Sequence, residues 1–261
     1  MATSTTTEIK TTPTLFFTPG AWHDPWVFDS VRSILSARGF ETETSSLATV
    51  GSVDPSVGMC SDAAKIRSAL SNLINEGKEV ILVAHSYGGI VASNAVDGLG
   101  IEQRTSNSLN GSIIMILYLA AFVVPAGTDL KTNLGGSYPP WWNISMGGFI
   151  TPMKPQDVFC ADVEASLASK AVATLKPMPL QMAKDISTYD PRDGTFEVGY
   201  IFAEKDQAIP IGAQNAMFSQ FPVGSFAARL DSSHSPFLSM PNTLADTIER
   251  ATKYVLAKRS T

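Results

Sequence analysis

The sequence predicts an α/β architecture: an open, mostly parallel central sheet with helices on both faces and one lid inserted above it. Three observations carry this expectation. Short apolar runs without alternation recur along the chain, as strands buried on both faces require. Amphipathic helical patterns separate them. The alternation of the two breaks once, between about residues 125 and 190, and then resumes.

Leu15-Phe16-Phe17-Thr18 stops at Pro19-Gly20 and reads as a strand ending in a loop. Residues 26–40 put Val27, Val31, Ile34 and Leu35 on one helical face, with Gly39 as the stop. A second helix is expected over 61–77, built on Ile66, Leu70, Leu73 and Ile74. Residues 79–84 form a buried strand, and a helix opens at once from Tyr87-Gly88-Gly89. Another buried strand is expected over 113–122. The interrupted region holds Gly135-Gly136, Pro139-Pro140-Trp141-Trp142 and Gly147-Gly148, then a helical piece around 160–185. We read residues 125–190 as a lid within a single domain spanning 1–261. A strand at 198–203, a helix near 211–219, a strand at 226–230 and a helix over 242–256 complete the pattern.

Composition narrows the function classes. A chain of 261 residues buries enough surface to need no disulfide or metal staple. With 44% apolar and 16% charged residues it is not a disordered chain. Nineteen basic residues against 24 acidic ones, with no Lys/Arg stripe, argue against nucleic acid as a partner. Cys60 and Cys160 are too few for a disulfide framework or a zinc site and are expected as incidental free thiols. The polar start lacks the apolar core of a signal peptide, and the longest apolar run, 113–124, is shorter than the ~20 residues of a membrane span. The expectation is therefore a cytoplasmic protein without a membrane span. No nucleotide-binding glycine fingerprint or phosphate loop is present, so no cofactor and no metal are expected.

The informative segment is Ala84-His85-Ser86-Tyr87-Gly88-Gly89. A serine between a buried strand and a helix, with small residues two places to either side, fits a sharp turn that exposes its hydroxyl. The helix N-terminus directs free amides at any oxyanion formed beside it. A serine nucleophile needs a base and an orienting acid, expected in the order Ser, Asp or Glu, His. His234 follows the last predicted strand, where a base in this order belongs. His85 adjoins the serine and is given a structural role; His23 lies upstream. The acid lies after strand 198–203, where Glu204 and Asp206 compete; Asp206 is favoured for its reach, and Asp231 is the outside candidate.

At this point the chain resembles the α/β-hydrolase superfamily, specifically its small-lid branch of plant methyl esterases, hydroxynitrile lyases and esterase-like proteins. The resemblance rests on Pro19-Gly20-Ala21-Trp22-His23 with Trp26, on 84–89, on Asp206-Gln207-Ala208-Ile209-Pro210, and on residues 234–241. It implies an α/β-hydrolase fold, with Ser86 as nucleophile, Asp206 as acid, His234 as base, and the Ala21 and Tyr87 amides as oxyanion hole. The chain departs from the branch in two places. Pro19-Gly20 replaces the His-Gly with which relatives often begin the first loop. Ser235 stands where hydroxynitrile lyases carry a lysine, so cyanohydrin cleavage is not expected.

The expected activity is hydrolysis of an ester, lactone or thioester of a hydrophobic small molecule. Two other readings share the residues: a lyase or cyclase acting on a polyketide-like intermediate, and a ligand receptor with a vestigial triad. Trp22, Trp141 and Trp142 are the candidate substrate-binding aromatics, with Tyr138, Met146, Phe149 and Met153 as further pocket candidates if they face the serine. Few charges occur between Gly127 and Phe159, which favours a neutral substrate. A homodimer is compatible with the sequence.

Overall fold

The computed structural model describes residues 12–194 and 196–260; the polar N-terminal stretch considered above lies almost wholly outside them. Six strands form the main sheet: β1 (Thr14–Thr18), β2 (Thr42–Thr44), β3 (Glu79–His85), β4 (Ser112–Leu119), β8 (Val198–Ala203) and β9 (Phe226–Leu230), in the order β2-β1-β3-β4-β8-β9. All its pairings are parallel, with Thr18 beside Ala84 and His85 beside Leu119. β4 is buried at every position, and β3 at every position after Glu79. Both read as continuous apolar runs because helices cover both of their faces.

α1 (Asp29–Ala37) buries Val31 and Leu35, and α2 (Met59–Asn75) buries Ile66, Leu70 and Ile74 at helical spacing. α3 (Gly88–Ala95) is buried all round except at Asn94, so it has no polar face to read from the sequence. The chain runs from β1 to β2 on one side and returns to place β3 on the other side of β1. The strand order therefore reverses between β1 and β3, the crevice where open α/β sheets bind ligands at the carboxyl ends of their strands.

Several expectations need correction. Trp26 to Phe28 belong to a single 3₁₀ turn, Pro25–Phe28, and α1 begins only at Asp29. β2 was not expected, because Thr-Glu-Thr is a short polar edge strand with no apolar pattern. β4 ends at Leu119, three residues short of the expected 122. Ala120 takes φ +41°, and the chain beyond it turns toward the end of β3. The connection from β4 to β8 carries a small antiparallel sheet of β5 (Trp142–Ile144), β6 (Phe149–Pro152) and β7 (Met178–Pro179). The helical piece expected over 160–185 shrinks to Ala165–Ala173 and a 3₁₀ turn at Leu180–Ala183. Pro177 and Pro179 cannot continue a helix, and Met178 pairs with Ile150 instead. Among the described residues no helix is long and apolar enough to cross a membrane, and the two cysteines are free, Cys60 exposed and Cys160 buried.

Candidate active site

Ser86 is the first residue after β3 and has φ +55°. That left-handed conformation costs a residue other than glycine about 1–2 kcal/mol and persists only where neighbours fix it. Here the Ser86 amide donates to Leu119 O (3.2 Å), and the Ser86 carbonyl accepts from the Gly89 and Phe122 amides (3.0 Å each). The end of β4 and the first turn of α3 thus grip the serine peptide from both sides. A Cβ at Gly88 would lie 2.5 Å from Pro19 O, and one at Gly20 would lie 2.8 Å from Ser86 Cβ. Only glycine at these two positions lets α3 and the β1 loop close around the serine.

His234 and Asp206 come from the loops after β9 and β8, and both are buried. His234 Nδ1 donates to Asp206 Oδ2 at 2.7 Å. The other oxygen, Oδ1, accepts from the Ala208 and Ile209 amides at 2.7 and 2.9 Å. Buried Gln214 brackets the same loop through Ala203 N, Ala203 O, Ile209 O and Asp206 Oδ2. The rival carboxylates point to solvent: Glu204 lies 3.6 Å from Arg229 and Asp231 lies 2.8 Å from Lys205. Ser86 Oγ and His234 share no hydrogen bond in this structure.

The two remaining histidines act on backbone. His85 Nε2 donates to His234 O at 2.9 Å, and its ring lies 4.5 Å from the His234 ring, tilted by 49°. Burial, with the neighbouring His234 and His23, pushes the His85 pKa well below the usual histidine value. His23 Nδ1 donates to Ala21 O at 2.7 Å, and burial lowers its pKa to about 4 despite that bond. Both imidazoles are therefore neutral near pH 7. The Trp22 amide is taken up by Met178 Sδ, whereas the Ala21 and Tyr87 amides have no acceptor among the described residues. Both line the same pocket as Ser86.

Sequence reasoning missed two supports. The Tyr87 hydroxyl donates to buried Asp62 at 2.8 Å, and Asp62 also accepts from Thr49 N and Oγ1 at 2.9 and 2.7 Å. Burial raises the Asp62 pKa, with those bonds opposing it. A lone aspartate on an apolar helix face, four residues before Ile66, was the available signal. The second support is Asp162, which accepts from the Ser233 amide at 2.9 Å and from its hydroxyl, tying the β4–β8 connection to the residue before His234. Among the described residues no cluster of three His, Cys, Asp or Glu side chains forms a metal site.

The cavity at Ser86 is narrow, with a volume of about 20 Å³, and is mostly apolar. Trp22, Trp141 and Trp142 all line it, with Trp22 lying 5.7 Å from each of the other two rings and from Phe159. Phe159 in turn packs on the His234 ring at 5.7 Å. Tyr138 stacks on Trp142 behind the wall. Met146, Phe149 and Met153 do not line the pocket, contrary to expectation; Met146 projects fully into solvent at the β5–β6 turn and Met153 is exposed.

Comparison with known proteins places this chain in a class. A profile of the alpha/beta hydrolase family matches residues 15–247, so the chain belongs to that family. It lies in the esterase-like branch of these enzymes. The chain is 26% identical over 245 residues to alpha/beta hydrolase nvfD of Aspergillus novofumigatus, covering 92% of this chain and 96% of the relative. It is 28% identical over 259 residues to Methylesterase 7 of Arabidopsis thaliana, covering 90% and 95%. A crystal structure of an Arabidopsis methylesterase superposes with a TM-score of 0.73 at 24% identity, covering 92% of this chain and 99% of that one, a likeness of fold.

Proposed function

We propose that the protein hydrolyses a carboxylic ester of a hydrophobic small molecule through a covalent acyl-serine. His234 Nε2 removes the Ser86 hydroxyl proton as Oγ attacks the carbonyl carbon, and Asp206 holds the ring by its Nδ1–H. The negative charge that develops on the carbonyl oxygen is received by the Ala21 and Tyr87 amides. The ester C–O bond then breaks, and His234 returns the proton to the departing alcohol. Water attacks the acyl-serine, gives its proton to His234, and the carboxylic acid leaves as Ser86 regains its hydrogen.

The observation that carries the reading is the buried 2.7 Å contact between His234 Nδ1 and Asp206 Oδ2. It leaves Nε2 as the free nitrogen of a base whose neighbouring serine is held in a strained turn. Residues 125–190 act in this reading as a lid that closes the pocket within one domain. The apolar lining supports a hydrophobic acyl or alcohol group. The test is a panel of methyl and aryl esters, with products identified by mass, on wild type beside Ser86→Ala. The account expects acid and alcohol from wild type and a loss of about 10³-fold or more in the variant. Rearranged or eliminated products made equally by both would instead establish lyase or cyclase chemistry with His234 alone.

A further inference from the structure

The pocket at Ser86 is too confined to hold a large ester entirely, and a second cavity adjoins it. This outer groove, of about 430 Å³, is lined by Pro140, Trp141, Met153, Lys154, Asp157 and Gln207, among others. Trp141 belongs to both spaces. The partition is thin elsewhere too, because Pro139 and Ala208 face the inner pocket while their neighbours Pro140 and Gln207 face the groove. Met153 N donates to Trp141 O at 2.7 Å, tying the groove wall to the backbone of the shared residue.

The geometry points to the outer groove as a second substrate subsite, receiving the larger half of the ester as a neutral ring body that carries hydroxyl or carbonyl oxygens. This deepens the hydrolase reading and rests on it. Met153 and Pro140 supply apolar contact, while Lys154, Asp157 and Gln207 supply donors and an acceptor. Neither the Lys154 ammonium nor the Asp157 carboxylate has an ion pair or side-chain hydrogen bond among the described residues. Their opposite charges lie three residues apart and largely cancel at a distance, so the groove selects for hydrogen-bonding capacity rather than for an ion. Lys154 itself takes φ +48°, a conformation uncommon for lysine that sets its direction from the end of β6.

The test compares two bicyclic aryl acetates of similar bulk that differ in ring oxygens, 4-methylumbelliferyl acetate and 2-naphthyl acetate. The double variant Lys154→Met with Gln207→Leu should lower kcat/KM for the umbelliferyl ester at least tenfold more than for the naphthyl ester, chiefly through KM. Equal losses on both esters overturn the subsite. A second arm needs no turnover: 4-methylumbelliferone and 2-naphthol are titrated at pH 6 against tryptophan fluorescence. The variant should weaken umbelliferone binding at least tenfold relative to naphthol, and parallel affinities overturn the proposal. Absence of wild-type turnover across the ester panel as well as of these two acetates defeats the hydrolase reading, while the binding arm still decides the groove.

Discussion

The strand-end loops and the β4–β8 connection line one pocket but obey different rules. The loops after β1, β3, β8 and β9 start from parallel strands whose register is fixed to the residue, so Ala21, Ser86, Asp206 and His234 inherit defined positions. The connection has only short strands of its own, and it meets the core through aromatic rings and the Asp162–Ser233 contact. In the proposed mechanism one region holds the reacting atoms in place, while the other can change shape or composition without moving them. Chemistry and selectivity should therefore separate on mutation.

The sharpest break in that comparison is Asp206→Asn. It preserves acceptors for the Ala208 and Ile209 amides but removes the charge beside His234 Nδ1. We expect kcat to fall by about 10⁴-fold while Tm changes little. Glu204→Gln and Asp231→Asn, at exposed ion pairs, should keep nearly full activity and stability in the same assay. Comparable losses in all three would assign the orienting role wrongly.

Next in size are the two tryptophans of the connection. Trp142 is buried between Trp22 and Tyr138, so Trp142→Ala should cost about 3–5 kcal/mol of stability and depress all substrates together. Trp141 is half-buried between two cavities, so Trp141→Ala should cost less stability and change the ratio of kcat/KM for bulky over short esters. Thermal melts run beside the two-substrate ratio separate a packing ring from a pocket wall.

The smallest effect concerns pH. His23 has a folded pKa of about 4 against an ordinary 6.5, so the unfolded chain binds its proton first as pH falls. Stability is full above pH 6.5, declines between 6.5 and 4, and has lost about 3 kcal/mol through this group below that window. His85 adds to the same slope, since its pKa is also depressed. His23→Gln should reduce the slope of unfolding free energy against pH by up to one proton between pH 4 and 6.5, measured by urea titration. An unchanged slope would mean that His23 is not held neutral.

The same contrast explains what the sequence disclosed. The placement of Ser86 at a strand-to-helix turn and of His234 in a post-strand loop was legible from local signatures, and chain order singled out Asp206 as the carboxylate that meets His234. Gln214 and Asp62 were not, since each acts across the fold on a backbone or hydroxyl group that no spacing rule connects to it. The small sheet of the connection escaped because strands of two to four residues containing Pro152 and Pro179 show no alternation. Met146 looked like a pocket residue by composition, yet it sits at the tip of the β5–β6 turn and points into solvent, while Met153 lines only the outer groove.

The central claim is that Ser86, activated by His234, forms a covalent bond to substrate. Intact-mass analysis after treatment with an aryl alkylphosphonate, followed by peptide mapping, tests it most directly. The account predicts one adduct per chain, on the peptide containing Ser86, formed at least a hundredfold more slowly in His234→Ala and absent in Ser86→Ala. Labelling elsewhere, or at the same rate without His234, would contradict it.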